Sequence, residues 1–184
     1  MTLDEQTFDL IRPPEWKGGV IFASPHSGRD YPAWFLAESR LDSLLLRSSE
    51  DAFMDRLIAS APEHGAVLLT ARVPRCVIDL NRGPDEIDPL VVTGTAPMAL
   101  SPRIMAGLGV IPRVVSQGRA IYDRPMSRIE AERRIARYWQ PYHHALGALI
   151  DEAVARFGGA ILIDMHSMPR DALAHLPRPR PDMV

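Results

Sequence analysis

Two apolar runs that each stop at a histidine constrain this 184-residue chain more than any other feature. Val20-Ile21-Phe22-Ala23 leads into Ser24-Pro25-His26-Ser27-Gly28, and Ala160-Ile161-Leu162-Ile163 leads into Asp164-Met165-His166-Ser167. A short apolar run closed by a turn reads as a buried strand, so each run delivers an imidazole to the carboxyl end of its strand. Open α/β sheets bind their ligands outside those ends. If the two strands lie together, the two imidazoles can share one metal ion.

The chain between them predicts an α/β fold. Phe8 to Ile11 reads as a short edge strand closed by Arg12-Pro13-Pro14, and Ala66 to Ala71 and Cys76 to Leu80 read as further strands. Leu41 to Leu46 reads as helical. Ser48 or Ser49 is placed to cap a helix carrying Phe53, Met54, Leu57 and Ile58 and ending at His64-Gly65. From Gly83 to Met126 no period holds, which predicts a long surface excursion with a hairpin near Gly109 to Val115. Ser127-Arg128-Ile129-Glu130 has the form of a capping box. The spacing of Ile135, Trp139, Tyr142, Leu146, Leu149, Ala153 and Phe157 then predicts one long helix, kinked at Pro141 and ended by Gly158-Gly159. Strands at Val20, Ala66, Cys76 and Ala160 separated by helices or long crossovers imply a mainly parallel sheet with helices on both faces.

Composition bounds the function. Hydrophobic residues make up 46% of the chain and charged residues 24%, which suits one domain, residues 1–184, with a sizeable core. A formal charge of -2 gives no reason to expect nucleic acid or an anionic membrane as partner. No apolar run approaches the roughly 20 residues that span a bilayer. The single cysteine, Cys76, cannot form an internal disulfide, and the first residues lack the pattern of a signal peptide. A cytoplasmic enzyme acting on a small molecule is the expectation.

Two histidines need a third ligand, and a catalytic zinc site takes three protein donors with one position left open. Glu50, Asp51 and Asp55 are the nearest carboxylates. Asp79-Leu80-Asn81-Arg82 is the other pointed feature, since an amide beside a guanidinium suits gripping a carboxylate, with Arg75 and Arg113 as possible helpers. The bland alternative is an ion pair of Arg82 with Asp79 or Asp85. His143 and His144 diverge by about 100° on a helix and read as surface and packing residues, while His64 and His175 have no supporting context.

Ser24-Pro25-His26-Ser27-Gly28, Glu50-Asp51, Arg75 ahead of Val77-Ile78-Asp79-Leu80-Asn81-Arg82, Pro141-Tyr142-His143 and Asp164-Met165-His166-Ser167-Met168-Pro169 together resemble the N-formylglutamate amidohydrolase family. The Asp-Leu-Asn-Arg element is also similar to one in aspartoacylase and the wider zinc carboxypeptidase group. The resemblance implies a three-layer α/β/α fold with a mixed, mostly parallel sheet. It implies zinc held by His26, Asp51 and His166, a substrate carboxylate held by Asn81 and Arg82, and Arg75 on a second carboxylate or the oxyanion. The activity implied is metal-assisted hydrolysis of N-formyl-L-glutamate to formate and glutamate, a step of histidine degradation. A related amidase of another N-acyl amino acid, or a zinc- or carboxylate-binding relative without turnover, are the competing expectations. Family members continue beyond the length of this chain, and the glutamate expected as general base falls past residue 184. The chain is therefore expected to be C-terminally truncated, with an apolar strand beginning near Pro181-Asp182-Met183-Val184.

Overall fold

The structure is a computed structural model that describes residues 6–95 and 101–168. In chain order it contains β1 (Phe8–Ile11), β2 (Val20–Ser24), α1 (Ala33–Glu38), α2 (Ser43–Leu46), α3 (Met54–Leu57) and β3 (Val67–Ala71). There follow α4 (Pro102–Met105), β4 (Val114–Val115), β5 (Arg119–Ala120), α5 (Arg128–Arg134), α6 (Gln140–Phe157) and β6 (Ile161–Asp164). Four strands form one sheet in the order β1-β3-β2-β6. Strand β2 runs parallel to both neighbours, with Ile21 opposite Val67 on one side and Leu162 on the other. Strand β1 lies at the edge, as the sequence predicts, and runs antiparallel to β3.

Because successive strand residues face opposite sides, the central strands β2 and β3 serve two cores. Ile21 and Val67 pack with Leu149 and Ala153 of α6. Their neighbours Phe22 and Leu68 meet Met54 of α3 and Ile58 on the other face. The sheet is thus mixed, mostly parallel and covered by helix on both sides. A larger cluster joins Leu69, Val77, Ile78, Leu80, Ile111 and Tyr142 beyond the carboxyl end of the central strands.

Several local expectations are corrected. Residues Cys76 to Leu80 form no strand: Val77 N–H bonds the Pro74 carbonyl at 2.9 Å, and Asp79 N–H bonds that of Val110 at 2.8 Å. The run is apolar because it is a buried turn, and apolar periodicity alone cannot separate that from a strand. The helix expected from Ser48 to His64 is broken into 3-10 turns at Arg47–Ser49 and Ala61–His64 on either side of α3. Both serine hydroxyls donate back to Leu45 and Leu46 carbonyls, so they close α2 and cap nothing downstream. The break falls at Glu50, where the backbone turns extended with φ -71° and ψ 144°, and Asp51 N–H then bonds the His26 carbonyl at 2.9 Å. Phe53 then adopts a left-handed φ of 66°, an uncommon state for an aromatic residue, to start α3. Gly65, at φ 82°, does end the segment as predicted.

The hairpin in the long excursion lies at β4 and β5, a few residues later than expected. At α5 the Ser127 hydroxyl accepts from Glu130 N–H, the forward half of a capping box. The long helix passes through a π turn at Ile135–Trp139, immediately before Pro141, where Gln140 N–H bonds the Ile135 carbonyl. No helix among the described residues is long and apolar enough to cross a membrane. His175 and Pro181 to Val184 lie outside the described residues.

Ile21 is fully buried in the central strand. Replacing it by alanine is expected to cost about 2–5 kcal/mol of unfolding free energy, since neighbours on two strands and α6 cannot all collapse into the gap. Urea unfolding checks this through a lower midpoint at unchanged slope.

Candidate metal centre

The parallel pairing of β2 with β6 sets Ala23 opposite Asp164, so the residues just past both strand ends emerge side by side. The rings of His26 and His166 are 4.7 Å apart between centroids. Asp51 is brought to them by its backbone bond to His26 and by accepting the Ser167 N–H at 3.2 Å. One donor atom from each of His26, Asp51 and His166 lies within 4.8 Å of the others. Tight passage of the chain after His26 depends on Gly28, where a Cβ would come within 2.1 Å of the Val73 carbonyl oxygen.

Both imidazoles are oriented by second carboxylates. His26 Nε2 lies 2.7 Å from Asp79 Oδ1, and His166 Nε2 lies 3.0 Å from Asp164 Oδ2. A neutral imidazole that donates through Nε2 keeps Nδ1 as an acceptor. The two Nδ1 atoms face one oxygen, Asp51 Oδ2, at 3.6 Å from His26 and 2.9 Å from His166. His26 Nδ1 is buried and has no hydrogen-bond partner. An unpartnered buried acceptor beside a carboxylate and a second imidazole, each histidine backed by its own carboxylate, is the donor arrangement of a metal site. The residues fit a metal ion.

Charge is concentrated here. Burial alone would raise the Asp51 pKa, but the hydrogen bond with His166 and the nearby His26 imidazole outweigh it and hold the carboxyl well below the usual carboxylate range. Asp79 is likewise pushed up by burial and brought down to about 2 by His26, Arg75 and the Asn81 N–H. Asp164, then Asp51, raise His166 to about 9 against partial burial.

A cavity of about 580 Å³ opens beside the cluster, lined among others by Asp51, Arg75, Leu108, Gln117, Ser167 and Met168. The β4–β5 hairpin supplies its outer wall. Arg75 is anchored through Nε to Asp79 Oδ2 at 2.9 Å and is partly exposed toward this space. Asn81 extends its amide to 3.1 Å from His166 Nε2. Arg82 lies next along the chain, with Nε on the Leu108 carbonyl and Nη1 on that of Asn81, and it pairs with neither Asp79 nor Asp85 among the described residues. Arg113 does not reach the site, because the buried Asp88 holds it at 2.8 Å. Of the other carboxylates considered, Asp55 is taken by Arg29 and Glu50 by Tyr31 and Arg47. Glu50 still lines the cavity, as does Cys76, whose thiol burial pushes up to about 12. Two contributors escape the sequence. Nothing pairs Asp79 with His26 across 53 positions, whereas Asp164, two residues before His166 on a strand, could have been found by its period.

The fold and the cluster define an α/β protein with a candidate single-metal centre at the carboxyl ends of adjacent parallel strands. A family model described as N-formylglutamate amidohydrolase matches residues 18–184, and the chain belongs to that family. It is 32% identical over 160 residues to an N-formylglutamate deformylase of Pseudomonas aeruginosa, a match covering 85% of this chain and 54% of the relative. The corresponding protein of Pseudomonas putida is 29% identical over 163 residues, with the same coverage. The chain thus spans about half the length of the curated relatives it matches. Among solved structures it resembles N-formylglutamate amidohydrolase from Ralstonia eutropha JMP134, with a TM-score of 0.86 and 38% identity over 95% of this chain and 63% of that one. A gene product of Agrobacterium tumefaciens shares the fold at a TM-score of 0.63 and 17% identity over 91% and 59%.

Asp79→Asn keeps the shape but leaves His26 with a neutral partner. Metal affinity is expected to fall about 10–100-fold, measured by competition with a chromophoric chelator. A second outcome concerns pH in the metal-free protein. His166 is raised from 6.5 to about 9, so its contribution to stability is full below about 6.5 and is lost as pH rises through about 9. Melting temperature should therefore decline across that window. His166→Gln should flatten the decline.

Proposed function

We propose that this chain belongs to a zinc-dependent amidohydrolase that cleaves N-formyl-L-glutamate to formate and L-glutamate in histidine degradation. The observation that carries this reading is the meeting of two carboxylate-backed imidazole Nδ1 atoms on Asp51 Oδ2. Two nitrogens and a carboxylate oxygen suit zinc, and three protein donors leave a position for chemistry. The same reading treats residues 1–184 as a single domain.

His26, Asp51 and His166 would hold the zinc, which when bound would supply Lewis acidity and lower the pKa of water. Substrate binding and charge stabilisation fall to residues of this chain. Asn81 and Arg82 grip the glutamate carboxylate, the guanidinium fork matching its two oxygens. Arg75, fixed at Nε by Asp79, keeps its terminal nitrogens for the oxygen that gains charge as the formyl carbonyl becomes tetrahedral. The β4–β5 hairpin lines one side of the cavity.

The full-length protein loaded with zinc should release formate from N-formyl-L-glutamate and lose that activity on chelation. A panel of N-acetyl and N-formimino derivatives separates this substrate from its analogues, and hydrolysis of none of them would leave only a binding protein. Arg82→Lys keeps the charge but loses the fork. It should raise KM about 10–100-fold with zinc content unchanged.

A further inference from the structure

Pro141-Tyr142-His143 carries part of the family resemblance, yet nothing in the reaction proposed above uses it. Its setting is the turn Asp79 to Arg82. That turn belongs to no strand, so its carbonyls lack ladder partners and need donors from elsewhere. Side chains supply them. His143 Nε2 lies 2.8 Å from the Leu80 carbonyl oxygen, and Trp139 Nε1–H donates to that of Arg82 at 2.8 Å. The carbonyl between them, on Asn81, accepts from the Arg82 guanidinium.

The two donor rings also hold each other. Their centroids are 3.9 Å apart and their planes 26° from parallel, so neither can change rotamer without displacing its neighbour. Residues four apart share a helix face, which is why one helix can offer both rings to one turn. Pro141, between them, has no N–H and in a regular α-helix would press on the Arg137 carbonyl. The π turn at Ile135–Trp139 widens the helix immediately before that point. Tyr142, with its ring centroid 5.4 Å from that of His143, is 2% exposed and edge-on to Phe8 at 6.0 Å, and so packs the helix against β1.

We infer that Trp139 and His143 are positioning residues, a stacked pair on a proline-adapted π turn that clamps the Asp79–Arg82 turn. Through that clamp they set Asn81 beside His166 and aim Arg82 at the substrate carboxylate. The kinetic consequence rests on the carboxylate grip proposed above; the mechanical one does not.

Trp139→Phe removes the indole donor and keeps a ring to stack. His143→Leu removes the imidazole donor, while His143→Gln restores an N–H at the same reach. The N–H groups of Asn81 and Gly83 bond Asp79 Oδ1 and Glu86 Oε1, so their hydrogen exchange reports the order of the turn without reference to activity. In the zinc-loaded protein, Trp139→Phe and His143→Leu should each speed that exchange about tenfold and raise KM for N-formylglutamate about tenfold. Zinc content should stay constant, and His143→Gln should restore both values. Exchange unchanged in both donor-deleting variants would overturn the clamp, whatever the kinetics. Faster exchange in those variants with a normal KM in Arg82→Lys would support the clamp while retiring the carboxylate grip.

Discussion

One buried carboxylate, Asp79, holds together parts of the molecule that have no other reason to agree. Its Oδ1 meets His26 Nε2 and the Asn81 N–H, and its Oδ2 meets Arg75 Nε, all within 2.9 Å. The side chain is 1% exposed. Taking a charge out of water is costly unless it is met by donors, and here an imidazole, a guanidinium and a backbone amide meet it. The same group therefore selects the tautomer of a metal-facing histidine, fixes an arginine on the cavity wall and shapes the turn that carries Asn81.

The sequence made the sheet legible because strands that end in a sharp change of polarity announce both their burial and their direction. Phe8 to Ile11, Val20, Ala66 and Ala160 are strands of one sheet, and His26 and His166 meet where the reading of their strand ends puts them. The Cys76 to Leu80 run failed because burial, not pairing, made it apolar. The helix from Ser48 failed for another reason: the backbone turns extended at Glu50 and left-handed at Phe53 on either side of Asp51, and a conformation that serves the site overrides the propensity of the residues around it. Pro141 did signal an irregular helix, and a π turn lies immediately before it.

The polar residues divide along similar lines. Asp51 and Asp55, four residues apart, are equal candidates by composition, yet Arg29 removes Asp55 and leaves Asp51 to the histidines. Arg113 offers a guanidinium as good as that of Arg75, but Asp88 claims it. Such choices depend on through-space partners dozens of residues away, and no local spacing encodes them. Charge neutralisation in the buried interior decides which side chains are left over for chemistry.

The pairing of β2 with β6 also bears on how the centre comes into being. Asp51 and His166 are 115 residues apart, and the unfolded chain contains no local segment that unites the three candidate ligands. Parallel strands joined by a long connection pair slowly, because loop closure must precede the contacts that reward it. A slip of one residue between them would send the His166 side chain to the opposite face of the sheet. Metal affinity therefore arises only with correct strand register. An ion bound here works as a proofreader, adding stability to the one alignment that assembles its ligands and none to the near misses.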